Sequence, residues 1–118
     1  MGYYGNEIEI VKGDTSTIQI TLKDSAGDAI DITGYTIWLT VKPVANNSDT
    51  VPIPTIQKKV TTFTDPTSGI HLFTLSNSDT NITSGNYIYD IQIKDTESTI
   101  TTPIIGDFVV KSEVTVSA

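Results

Sequence analysis

Few side chains in this sequence could do chemistry. His71 is the sole imidazole. It falls inside a run of alternating apolar and polar residues, and no Ser or Asp is spaced to work with it as a nucleophile or orienting partner. It therefore reads as a structural or surface residue rather than a general base. Asp24, Asp28 and Asp31 cluster around a turn, and calcium sites are built from several such oxygens. Their spacing departs from an EF-hand loop, and Asp in loops more often serves the turn itself; a calcium ion near them is left as an open alternative. Asn81-Ile82-Thr83 has the form of a glycosylation acceptor, read here as a chance match. There is no Cys, which excludes disulfides, thiolate metal sites and a thiol nucleophile. No G-x-S-x-G, H-E-x-x-H or phosphate-cradling glycine loop occurs. The expectation is a non-enzymatic protein with no cofactor.

The elements that carry these residues are short and extended. The chain is rich in Thr, Ile and Val, whose branched side chains suit a pleated sheet and lose rotamer freedom in a helix. No stretch shows a capped helical period. Alternating runs recur instead, separated by Gly, Asp, Asn, Ser and Pro. They cover residues 7–12, 16–22, 30–32, 35–42, 55–62, 70–76, 86–94 and 99–111, with 113–116 as a possible extension and a break in the last run at Pro103 or Gly106. The inward positions follow from parity: Ile8 and Ile10; Ile18, Ile20 and Leu22; Ile37, Leu39 and Val41; Tyr87, Tyr89, Ile91 and Ile93; Phe108 and Val110; in 70–76 the register is ambiguous, with Phe73 and Leu75 the better inward candidates. Seven to eight antiparallel strands at this spacing predict an all-β, immunoglobulin-like Greek-key sandwich. The 118 residues make one domain, 1–118, with 1–6 as a possible flexible arm.

Two residues sharpen that reading. Gly85 stands two positions before Tyr87 at the start of the penultimate strand. This spacing fits a tyrosine corner, in which the ring packs inward and the hydroxyl returns to the backbone of the preceding crossing. Trp38 has the opposite parity from Ile37, Leu39 and Val41, so it belongs on the outer face of its sheet. There it either covers lysine stems on a neighbouring strand or contacts another subunit, since Trp is enriched at interface hot spots.

Charge narrows the partners. Asp and Glu number 14 against 7 basic residues, for a net charge of −7, and every basic residue is Lys. Without Arg, bidentate phosphate and guanine contacts are missing, and an acidic surface repels a phosphate backbone. Nucleic acid and anionic membrane are excluded as expected partners. The start at Met1-Gly2-Tyr3-Tyr4-Gly5 lacks the basic and apolar regions of a signal peptide, and no run is long enough to span a bilayer.

Three stretches carry a family resemblance. They are Gly13-Asp14-Thr15 followed by Ile18 to Leu22; the run Gly27-Asp28-Ala29-Ile30-Asp31-Ile32-Thr33-Gly34-Tyr35; and Gly85-Asn86-Tyr87-Ile88-Tyr89-Asp90 with the later Gly106-Asp107-Phe108. In this order they resemble the immunoglobulin-like domain of phage baseplate upper proteins and related small tailed-phage virion proteins. The resemblance implies a structural role in a tailed bacteriophage particle, as a head decoration, neck, tail or baseplate component. It further implies multiple copies, contacts with capsid, neck, tail or baseplate subunits, and a virion location after synthesis in the host cytoplasm. Partner contacts are expected at Tyr3, Tyr4, Trp38, Val51 and Ile53. Val51 and Ile53 stand in the irregular stretch 44–54, for which a lid on the domain's own core is the favoured alternative to a contact. The alternative function is a carbohydrate-binding sandwich module contacting the host surface, with Tyr3, Tyr4, Tyr35 and Trp38 as its aromatics.

Overall fold

Alternation at a period of two places every second residue of a strand on one face, and two such faces can bury each other. The computed structural model describes Tyr3–Tyr4 and residues 7–43 and 55–112. They form eight strands: β1 Tyr3–Tyr4, β2 Ile8–Val11, β3 Ser16–Thr21, β4 Thr36–Pro43, β5 Ile56–Val60, β6 Ile70–Leu75, β7 Gly85–Lys94 and β8 Ile100–Lys111. One short 3-10 turn, Pro66–Ser68, precedes β6. The large sheet has the order β1-β8-β7-β4-β5, with β2 also paired to β8; the second sheet is the pair β3-β6. The molecule is an all-β sandwich.

Its core lies between the sheets. Ile18, Ile20, Phe73 and Leu75 of the small sheet meet Ile37, Leu39, Val41, Tyr87, Tyr89, Ile91, Ile93, Phe108 and Val110 of the large one in a single buried cluster. The strands of this cluster alternate as their sequences require. On β4 the inward residues are completely covered while Thr36, Trp38 and Thr40 are only half-covered.

Three features depart from the sequence-based expectation. The strands are not all antiparallel: β1 and β2 run parallel to β8, with Tyr3 opposite Ile104 and Ile8 opposite Phe108. Tyr3 and Tyr4 thereby extend a sheet edge. Residues 30–32 form no strand. The Ile30 amide donates to the Leu22 carbonyl and the Ile32 amide to the Pro66 carbonyl, so this segment bonds to two separate pieces of chain and never to a continuous partner. Ile32 is nonetheless fully buried. The last strand is also unbroken. Pro103 and Gly106 both lie within β8, and the irregularity is a register shift against β7 between Ile91 and Ile93. Proline fits there because Thr102 and Pro103 fall within that register shift and pair with no residue of β7. Gly106 is required by close approach, because a Cβ there would lie 2.6 Å from the Tyr89 ring. Residues 113–116, Val51 and Ile53 lie outside the described residues.

The crossings are pinned by side chains. In the crossing from β6 to β7, Thr80 is fully buried, and its hydroxyl donates to the Asp14 carbonyl at 2.7 Å. The Gly13 amide donates to the Thr80 carbonyl. Asp79 accepts from the Ser76 amide at 2.8 Å and pairs with Lys58 of β5, also at 2.8 Å. The Lys58 ammonium beside it, with the Ser76 bonds, holds the Asp79 carboxyl below its ordinary range.

Candidate interaction surface

The residues singled out for chemistry are occupied with structure. His71 faces inward on β6 opposite Ile20. Its ring packs edge-on between Phe63 and Phe73, at centroid distances of 5.5 and 4.8 Å. Its Nδ1 accepts the Thr64 amide at 3.3 Å. Burial pushes the imidazole below its ordinary value, which favours the neutral form that this acceptance requires. Asp24 accepts from the Ala26 and Asp28 amides, each at 3.0 Å, and so shapes the turn. Asp31 accepts the Thr33 amide and hydroxyl, which lower its pKa. Among the described residues no three His, Asp or Glu side chains gather as metal ligands would.

The corner residues do meet. The Tyr87 hydroxyl donates to the Thr83 carbonyl, while its ring is buried at an edge-on angle to Phe108. Burial raises the phenol pKa. Gly85 opens β7 at φ 147°, a conformation that side chains rarely adopt.

The outward face of the large sheet is the surface left over once the core is accounted for. Register defines it row by row. Trp38 stands between Lys59 of β5 and Gln92 of β7. The Lys59 ammonium lies over the indole at 5.9 Å. In the next row, Gln57, Thr40, Asp90 and Ile105 stand side by side, with Gln57 donating to the Thr40 hydroxyl at 3.2 Å. Below it come Lys42, Ile88 and Asp107, then Asn86, Val109 and Glu9. Ile88, Ile105 and Val109 are diagonal neighbours, and Ile105 is 40% exposed. Desolvation raises the Asp90 carboxyl pKa, and Lys42 opposes that rise.

No protein-family model matches the sequence, and no curated protein matches it.

Among the described side chains, Trp38 is the only aromatic on this face. Tyr35 and Phe63 pack against the core cluster instead, so the described side chains form no aromatic platform. The face also sorts charge. Its strands turn four lysines outward, Lys42, Lys59, Lys94 and Lys111, against three carboxylates, Glu9, Asp90 and Asp107. In the whole chain the carboxylates outnumber the lysines 14 to 7. Parity alone locates Trp38; the charge sorting has no local signal in the sequence, because it emerges only when five strands are aligned in register.

Proposed function

We propose that this chain is a non-enzymatic structural subunit of a tailed-bacteriophage particle, acting through protein–protein contacts, with an immunoglobulin-like Greek-key sandwich as its scaffold. The connectivity supports the scaffold. The chain lays β2 along β8, crosses to the other sheet for β3, returns for β4 and β5, crosses again for β6 and returns for β7 and β8. The stretches that carry the phage resemblance fall at the corners of this path: Gly13 to Thr15 at the first crossing, 27–35 at the second, and Gly85 to Tyr87 at the last.

The observation that carries the role is the outer face of the large sheet. Trp38, Ile88, Ile105 and Val109 contribute nothing to the chain's own core cluster; the three aliphatic residues are neighbours, and Trp38 stands beyond the row of Thr40 and Asp90, with near-balanced charges among them. An apolar centre with a polar rim is the anatomy of a protein interface. The expected partners are capsid, neck, tail or baseplate subunits in multiple copies, with no nucleic acid and no membrane, in a virion assembled in the host cytoplasm.

Immunogold microscopy tests this reading, using antibody raised against the purified chain on tailed particles from the source culture. Gold at a fixed position on the particles is expected. Unlabelled particles, or specific binding of the chain on a glycan array, would overturn it.

A further inference from the structure

We propose that two copies of this chain pair face to face through the outer side of the large sheet, about a two-fold axis running along β7. This deepens the assembly role proposed above and rests on it for its purpose, though not for its physics.

Charge selects the occupant. A chain of net charge −7 repels its own copies over most approaches. On the outer face of the large sheet that repulsion is relieved, because its strands carry lysines and carboxylates in near balance. The two signs are also segregated across it. On the β4–β5 side the outward charges are Lys42 and Lys59. On the β8–β2 side they are Asp107 and Glu9, with Lys111 reaching Glu9 at 3.6 Å. A two-fold interface joins the same patch on both subunits, so a residue left of the axis meets one right of it on the other copy. Lys42 and Asp107 flank Ile88 in one row. An axis along β7 therefore sets Lys42 of each copy against Asp107 of the other and stacks Ile88 on Ile88. Trp38 then turns toward the β8 column that holds Ile105. The axis also brings Asp90 and Lys94 each to its own counterpart, two like-charge contacts, of which Lys42 on the neighbouring strand offsets the first.

The test is sedimentation equilibrium of the full chain from low to high micromolar concentration, with Lys42→Asp, with Asp107→Lys, and with the two variants mixed. Circular dichroism melts first establish that each variant is folded. The wild type is expected as a concentration-dependent dimer. Each single variant places like charges across the axis, so dimerisation should weaken by roughly a hundredfold. In the mixture the introduced carboxylate faces the introduced ammonium, and the native pair faces itself, so a heterodimer should form. A monomeric wild type at every concentration overturns the proposal, as does a wild-type dimer that folded single variants leave intact or a mixture that stays monomeric. Gold-labelled particles with a monomeric chain would sink the dimer alone; a dimer that obeys the charge swap with unlabelled particles would sink the phage role alone.

Discussion

Tyr87 reaches back four residues to Thr83: its hydroxyl donates to the Thr83 carbonyl and fixes where the β6–β7 crossing turns into β7. The bond lies at the edge of the core, with the ring buried and Thr83 itself exposed. Tyr87→Phe keeps the packing and removes the bond. The expected cost is about 0.5–1.5 kcal/mol, at the low end if water reaches the freed carbonyl. Urea unfolding measures it, and an unchanged midpoint would mean the bond adds nothing to stability.

Neighbouring residues on β4 should respond very differently to truncation. Leu39 is fully buried, so Leu39→Ala should cost about 2–5 kcal/mol. Trp38 is half-buried outside the core and loses mainly its contact with Lys59, worth about 0.5–1 kcal/mol at an exposed site. Paired denaturation curves check this. Equal losses would place Trp38 in the core and reverse the register of the strand.

Gly69 sits hard against two backbone carbonyls. It has φ +69°, and a Cβ there would lie 2.6 Å from the Leu22 carbonyl oxygen and 2.7 Å from that of Ile30. Its own carbonyl accepts the Leu22 amide. Gly69→Ala combines a left-handed backbone cost of about 1–2 kcal/mol with two backbone clashes, so a loss above about 2 kcal/mol is expected. A melting temperature within a degree or so of wild type would contradict this geometry.

Acid should destabilise the protein through His71 before it does so through the carboxylates. The folded imidazole titrates below the ordinary value of 6.5, so the unfolded chain binds the proton first. The stability this gives is fully present above pH 6.5 and is lost as pH falls from there through the folded value. Asp31 and Asp79, both lowered, lose their contributions only at more acidic pH. Asp90, raised by burial, works in the opposite sense and gains stability on protonation. Unfolding free energy measured between pH 7.5 and 5 should slope downward in the wild type. His71→Gln should flatten that slope, and an unaltered slope would assign it elsewhere.

Much of the sandwich is legible in the sequence, because half-buried strands write burial directly into alternation. Ile37, Leu39 and Val41, or Tyr87, Tyr89 and Ile91, need no partner to reveal which side is inward. The parity of Trp38 follows from the same rule. Pairing is another matter. Nothing local in Ile8–Val11 says that its neighbour is β8, or that the two run parallel. Ile30 and Ile32 look like a strand because both are apolar, but burial arises there from packing beside Gly69 and Pro66 rather than from a ladder. Thr80 looks like any loop threonine, since its burial comes from Asp14, far away in sequence. The interaction surface is legible in one residue and invisible as a surface. Its charge balance joins residues from five strands, and only their register brings Lys42, Ile88 and Asp107 into line.

The parallel pairing of β2 with β8 has a mechanical consequence. Ile8 lies opposite Phe108 and Val11 opposite Lys111, so the earliest and latest long stretches of described chain lie side by side and point the same way. Tension on the chain before Ile8 and after Lys111 would pull these strands in opposite senses along their own length. Their cross-strand bonds would be strained together in shear instead of opening one after another from an end. Unfolding under force follows the height of its barrier rather than equilibrium stability, and bonds that must yield together raise that barrier. The fold is built to hold when stretched between its ends, whatever its stability at rest.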